Sequence, residues 1–488
     1  MPLPIATKFD YGTPLTGKNI RLLNFKQRSQ DTSTPREAVH LEVIEAALPH
    51  GDLTTHHTHV EYLALSYVWG KSDENNPEVL LNGTPFKVTL NLEKALIHLE
   101  FEVKLPIWID AICINQQDFA EKAEQVAQMR DIYKYASRTI IWLGEANDST
   151  GKLMTHVDRI GEDAIAAGLN DLTPEDFQQW PNFGSDDGKV QIRDRLEALF
   201  PKLSQGYEGR VPFPLGDLIE MSELPWFKRV WIVQELQRGS PAQGHKKSIQ
   251  ATYSTILNMV EEWLVIVQTF LGVFWGKRVT VNARAASTLG TRRKWIRDRP
   301  TLKHQLCHAF ISSSAAEGLD ATDPRDRIYA FLGVASDAGE LDIDPIDYTR
   351  TTASLYTDVA RKLIQHGNLD ILSLCRPPTL GNPRDIALPS WAPDWETRIM
   401  PPWGGFIEDE LFDASREDPF ECITTSSDNV LALKARFVGR LKEIGTTWNS
   451  PWNEAFDHDK ARTLFTEVIG FLRKACVSNH SVKPDNVF

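Results

Sequence analysis

A carboxylate spaced at helical intervals from aromatic rings is the sharpest chemical signal in this sequence. The run from Leu224 to Leu236 reads as one helix, with Pro225 near its start and Gly239 as its C-cap, and in it Phe227, Trp231 and Glu235 fall four residues apart and share a face. A carboxylate beside apolar rings loses hydration, which raises its pKa and suits it to acid/base work or to stabilising a cation formed during reaction. Residue type alone favours a plainer role for it, as a helix-edge glutamate paired with Arg229 or Arg238. A second set of residues closes two apolar runs: Ser66, Trp69 and Gly70 on the first, Asp110, Asn115 and Gln116 on the second. If both runs are parallel strands, these residues stand at carboxyl ends, where ligands gather, and with Trp231 they make a mixed polar and aromatic pocket. The alternative is structural, with Asp110 and Asn115 capping turns and Trp69 covering a sheet edge.

Other signals fail on inspection. Gly70-Lys71-Ser72 resembles the end of a phosphate loop, but Leu65 stands where that loop needs a glycine. The chain has no GxGxxG, HExxH or GxSxG, which removes the usual support for dinucleotide-fold, zinc-protease and hydrolase-elbow readings. His56, His57 and His59 cluster in a polar stretch without further ligands of suitable type, so no metal is expected. Cys113 lies inside the apolar run WIDAICIN and reads as an inert buried thiol.

The elements that must position these residues are legible in their periodicity. Tyr62 to Trp69 is a nearly continuous apolar run and predicts a strand covered on both faces. Val79 to Val88, with Asn82-Gly83 at its centre, predicts a hairpin. Asn91 is expected to cap a helix carrying Leu92, Ala95, Leu96 and Leu99 on one face. Ile107 to Ile114 predicts a second buried strand. Asp118 followed by Glu121 predicts a capping box opening a helix with Ala123, Val126, Met129, Tyr133 and Ala136 toward the sheet, and with Lys122, Gln125, Gln128, Asp131 and Lys134 elsewhere. Arg138 to Leu143 is the third strand, joined by a right-handed parallel crossover.

The 488 residues exceed what one core organises, so two or three domains are expected. The divisions fall as an N-terminal extension (1–55), an α/β domain (56–240) with an insertion at about 147–216, a mostly helical region (241–375), and a C-terminal region with short strands (376–488). The helical region includes a helix from Ala353 to Ile364 closed by Gly367, and Val430 to Ile444 is β-like. With 53 basic and 66 acidic residues the net charge is −13 and no basic stripe forms, which argues against nucleic acid. Five cysteines without paired spacing, and an N-terminus lacking secretory features, point to a reducing cytoplasmic setting. The most apolar window, Trp263 to Trp275, is too short to span a bilayer and reads as a buried helix.

Three blocks, YLALSYVWG, WIDAICINQQDFAEKAEQVAQMRDIYKYASRTIIWLG and WFKRVWIVQEL, occur here in the order found in the heterokaryon incompatibility (HET) domain of filamentous fungi, which this chain resembles over about residues 60 to 240. TDPRDRIYAFLGVA, IDPIDYTRT and LPSWAPDW resemble segments that commonly follow that domain. Family members often continue into a further Gly-rich region past the segment like Val430 to Ile444. The resemblance implies a role in non-self recognition and programmed cell death after fusion of unlike cells. It also implies a remote relation to Toll/interleukin-1 receptor (TIR) domains, hence a flavodoxin-like parallel sheet with flanking helices. In TIR domains that cleave NAD, the glutamate of a Trp-Cys-x-x-Glu motif is catalytic. Carried over, Glu235 would act on the ribose side of NAD as the nicotinamide bond breaks, and Ser66, Trp69, Asp110 and Asn115 would line the pocket; Ile232 replaces the cysteine of the motif. NAD is then substrate and no cofactor is needed. The alternative is a non-enzymatic module that self-associates or binds another incompatibility protein.

Overall fold

The computed structural model describes residues 9–26, 38–49, 60–145 apart from 72 and 74, 188–199, 223–235, 300–311, 318–375 and 388–397, with shorter pieces within 147–171, 216–220, 399, 422–433 and 462–470. The fold is α/β. Its main sheet contains β1 (Asn19–Phe25), β2 (His40–Ala47), β3 (Leu63–Tyr67), β4 (Glu78–Leu81), β5 (Thr84–Lys87), β6 (Ile107–Trp108) and β7 (Arg138–Trp142), in the order β5-β4-β2-β1-β6-β3-β7. All five residues of β3 are buried, and β3 pairs in parallel with β6 on one side and β7 on the other. The first predicted strand is therefore the centre of a parallel core.

That core is extended by strands the sequence pattern did not announce. β1 pairs antiparallel with both β2 and β6, and β2 carries β4 in parallel, so the sheet is mixed. Residues before 56 thus supply two strands to the sheet. The predicted hairpin forms between β4 and β5. Asn82 and Gly83 have φ of 50° and 84°, the paired positive angles that a two-residue hairpin turn requires.

Helix α1 (Leu90–Glu102) buries Leu92, Ala95, Leu96 and Leu99 as the spacing predicts, but its cap is Thr89, whose hydroxyl accepts from the Leu92 amide. Asn91 instead ties two strand ends together, donating to the Val68 carbonyl (2.7 Å) and accepting from the Trp142 indole (3.0 Å). The predicted strand Ile107 to Ile114 pairs for two residues only. Asp110–Cys113 coils into the helical turn α2, held by the Cys113 amide on the Ile109 carbonyl at 2.7 Å and by Asp110 Oδ1 on the Ala111 amide at 2.7 Å. An apolar run is buried equally well in either conformation, so composition alone could not decide between them.

Asp118 caps α3 (Phe119–Ala127), accepting from the Ala120 and Glu121 amides. The helix expected to continue from it is broken at Gln128, and α4 (Met129–Tyr135) follows. Part of the polar face of α3 and the turn after it is covered by the N-terminal segment. Gln125 donates to the Asn19 carbonyl (2.9 Å) and Gln128 to that of Gly17 (2.6 Å). Glu121 does not complete a capping box; it meets Arg21 of β1 in a forked ion pair, with N–O distances of 2.5 and 3.0 Å. It also accepts from the amides of Leu15 and Asn115. Burial pushes the Glu121 carboxyl up, but Arg21 and the two amides outweigh it and hold its pKa below the ordinary range.

Beyond the sheet lie α5 (Gly188–Glu197), α6 (Ile232–Glu235), α7 (Leu302–Phe310), α8 (Asp326–Leu332) and α9 (Thr352–Gln365), then the small ribbon of β8 (Cys422–Ile423) and β9 (Ala432–Leu433). The helix expected from Ala353 to Ile364 is α9, followed by Gly367 at φ 90°. Residues of the sheet, α7, α8 and α9 belong to one apolar core. His56, His57, His59, Gly239 and the window from Trp263 to Trp275 lie outside the described residues. Among the described residues no helix is long and apolar enough to cross a membrane.

The Arg21–Glu121 pair, with side chains 2% and 0% exposed, predicts a large cost for removing one partner, since the other is left charged and dry. Glu121→Ala should lower unfolding stability by roughly 3–5 kcal/mol. Asp131→Ala, which removes the half-exposed pair with Lys18, should cost less than about 1 kcal/mol. Urea unfolding of the two variants checks this; equal losses would contradict it.

Candidate functional site

Ser66 is the fourth residue of β3, and its hydroxyl is the node on which the site is built. It accepts from the indole N–H of Trp226 at 2.7 Å and donates to Glu235 Oε2. Glu235 is 1% exposed. Its carboxylate takes a forked pair of hydrogen bonds from Arg229, Nη1 to Oε2 at 2.9 Å and Nη2 to Oε1 at 2.8 Å. The Arg229 pairing was the plainer of the two roles the sequence left open, and the Ser66 contact puts the same carboxylate at a strand end.

The predicted Leu224 to Leu236 helix does not form as one element. Pro225–Lys228 is a single tight turn, Arg229 is extended, and α6 begins at Ile232. The cause is a backbone contact from outside: the Asp320 amide donates to the Lys228 carbonyl (2.5 Å) and the Val230 amide to the Asp320 carbonyl (2.9 Å). Those bonds take groups a continuous helix would use internally, and the extended Arg229 turns its guanidinium back onto Glu235. Phe227, Trp231 and Glu235 therefore do not share one helix face. Phe227 packs edge-on against Trp226, with ring centres 5.0 Å apart. The Trp231 indole donates to Asp326 of α8 at 3.2 Å and does not join the Ser66 cluster.

One layer outward, Asp110 accepts from the Trp69 indole at 2.7 Å, and burial first, then the Asp110 charge, pushes the Tyr67 phenol well above its usual range. Gln116 donates to the Asp110 carbonyl at 3.1 Å, and Asn115 Oδ1 accepts from the Gln117 amide at 3.2 Å. Burial is the main force on the Asp110 carboxyl and raises its pKa to about 6. Glu235 adds to the rise, while Arg229 and the bonds from Trp69 and Ala111 oppose it. Burial works against the charge on Arg229, but Glu235 and then Asp110 more than offset it, and its pKa is raised. The buried Cys113 thiol is pushed up to about 12 by desolvation, as expected of an inert thiol.

Trp69, Gly70, Asn115 and Gln116 line an open cleft of about 130 Å³ at the strand ends, together with Tyr11, Tyr67 and Phe86. Gly70 has φ 77°, a backbone form that other residues adopt with strain, so glycine suits the turn at this cleft's edge. Ser66, Asp110 and Glu235 lie beneath the lining. Trp69 connects the two levels, since it lines the cleft and its indole holds Asp110. Trp226 and Tyr67 escaped the sequence reading, and nothing in their local pattern marks them; Trp226 is identified by its bond to Ser66 and Tyr67 by its place in the cleft lining.

This layering predicts a pH dependence of stability. Between about pH 4, the ordinary carboxyl range, and pH 6, the folded chain retains a proton on Asp110 that the unfolded chain has released. Stability from this group therefore falls as pH rises through that window. Asp110→Asn should remove the effect, flattening the change in unfolding free energy from pH 4 to 7 by roughly 3 kcal/mol. Asp326, raised to about 6 mainly by burial, titrates in both proteins and cancels in the comparison. Parallel stability profiles for wild type and variant would contradict the assignment.

With this geometry in hand, comparison with known proteins gives a consistent picture. Residues 62–235 match the family model described as heterokaryon incompatibility protein (HET). Over 431 residues the chain is 30% identical to heterokaryon incompatibility protein 6, OR allele, of Neurospora crassa, a match that spans 79% of this chain and 60% of that protein. No solved structure shows a significant match. The matched segment begins at Tyr62, at the threshold of β3, and ends on Glu235, so it contains Ser66, Trp69, Asp110, Trp226 and Arg229, and the chain belongs to the HET-domain proteins of fungi.

Proposed function

We propose that this chain acts in heterokaryon incompatibility as a cell-death effector, and that its HET domain cleaves the bond between nicotinamide and ribose in NAD. The observation that carries the chemical part is the hydrogen bond from Ser66 to Glu235. That bond ties the carboxylate to the carboxyl end of the central parallel strand, the end at which Trp69 and Gly70 line the cleft. The order β6-β3-β7, with the first parallel strand between the second and third, is that of a flavodoxin-like start and supports the relation to TIR domains.

In this reaction the C–N bond to nicotinamide breaks with its electron pair leaving on nicotinamide. The ribosyl carbon develops oxocarbenium character, and water then adds to give ADP-ribose and a proton. Glu235 would stabilise the cationic ribose, as carboxylates do in glycoside cleavage. Arg229 neutralises that carboxylate in the state described here, so the reactive form requires the guanidinium to swing away. The positively charged nicotinamide riboside group would then stand where the guanidinium stood. Ser66 and Trp226 would hold the carboxylate in place throughout.

A second reading rests on the same contacts. Glu235 is 1% exposed, both of its oxygens are engaged, and it does not line the cleft at the strand ends. That favours a structural carboxylate in a module that works by associating with itself or with another incompatibility protein.

Nicotinamide release from NAD by purified full-length protein separates the readings. Wild type should release nicotinamide, and Glu235→Gln, which keeps the side-chain volume, should lower the rate by about 100-fold or more. Folded wild-type protein that kills cells but releases no nicotinamide would overturn the enzymatic reading and support association.

A further inference from the structure

We propose that a second cleft, between α3, the Thr322–Arg325 segment and the start of α9, binds the phosphate group of a small nucleotide-like ligand through Lys122 and the N-terminus of α9. The cleft is about 370 Å³ and is lined by Lys122, Arg350, Thr352, Phe119 and, on the wall it shares with the first cleft, Trp69 and Gln116. That is enough room for a compact ligand, and it stands apart from Glu235.

Lys122 is the unusual group here. It is 9% exposed, yet among the described residues its ammonium makes no hydrogen bond or ion pair. Its contact is with the face of Tyr348, 4.2 Å from the ring centre. The nearby carboxylates are committed elsewhere: Asp323 to Arg325, at 2.7 and 2.9 Å, and Asp326 to Tyr348 at 2.8 Å and Trp231 at 3.2 Å. A buried cation without an oxygen partner is costly, and an anion from solution is the group that would relieve it.

The second contribution is independent of Lys122. Thr351 caps α9 and satisfies the Ser354 amide, leaving the amides of Thr352 and Ala353 without acceptors among the described residues. Unpaired amides at the start of a 14-residue helix favour phosphate by direct bonding and by the helix dipole. Arg325 fixes this helix start by donating to the carbonyls of Tyr348 and Arg350. Arg350, 16% exposed and bonded to Asp344 at 3.2 Å, adds a cation at the rim. Trp69 and Phe119 offer apolar surface for a planar base.

Calorimetric titration of the full-length chain with ADP, pyrophosphate and adenosine tests the assignment without reference to NAD turnover, so its result is independent of the role given to Glu235. ADP and pyrophosphate should bind and adenosine should not. Lys122→Gln should weaken ADP binding by about tenfold or more. Thr352→Pro removes one amide at a helix position that proline tolerates, and it too should weaken ADP binding while leaving the circular dichroism spectrum unchanged. No ADP or pyrophosphate binding by folded wild type, or wild-type affinity in both folded variants, would overturn the proposal.

Discussion

The forked ion pair between Arg229 and Glu235 is the interaction on which this arrangement hangs. Two opposite charges are withdrawn from water here, which is costly unless every lone pair and proton finds a partner. The pair offsets much of that cost with bonds to each other and to a residue distant in sequence. Oε2 of Glu235 receives Arg229 and Ser66, Oε1 receives Arg229 again, and Trp226 fixes the Ser66 hydroxyl from its other side. The central strand is thereby locked to a segment some 160 residues further on. Moving any member strands a charge or a buried dipole, so the cluster holds as a unit.

A second buried pair does comparable work beside the loop 115–117. Arg21 and Glu121 join the first strand of the chain to α3, and Glu121 also accepts from the Asn115 amide. The loop that supplies Asn115 and Gln116 to the cleft is thus positioned by a carboxylate outside it. Both pairs let a mixed sheet built from remote segments present well-defined edges at the carboxyl ends of β3 and β6. The cleft itself is small and aromatic, while the charge is kept one layer down.

The parallel core was legible in the sequence because it is written in local pattern. Tyr62 to Trp69 reads as a strand from its unbroken apolar run, Asn82-Gly83 as a hairpin from its turn chemistry, and Asp118 as a cap from residue type. What the pattern could not carry were decisions made by distant partners. Lys122, Gln125 and Gln128 look like a solvated helix face until Gly17, Asn19 and Tyr348 cover them. The segment from Leu224 to Leu236 looks like one helix until Asp320 takes its backbone groups. For the same reason Glu235 was recognisable as the residue of interest while the geometry around it was not. Its residue type and order in the chain are local facts, but its contact with Ser66 depends on the break at Arg229.

That break bears on where the HET domain ends as a physical object. The family match stops at Glu235, yet the conformation of residues 228–235 is imposed from beyond it. Val230 bonds to Asp320, Trp231 to Asp326, and Gln234 to the carbonyl of Ala330 at 2.8 Å. A chain cut after residue 235 would leave these donors without their acceptors, and nothing local would keep Arg229 extended. The nearest alternative for the freed backbone is the continuous helix that its sequence already favours. In that helix, residues 229 and 235 stand six positions apart on different faces, and the ion pair would open. The downstream helices therefore act on the site through backbone hydrogen bonds, by deciding whether Arg229 reaches Glu235 at all.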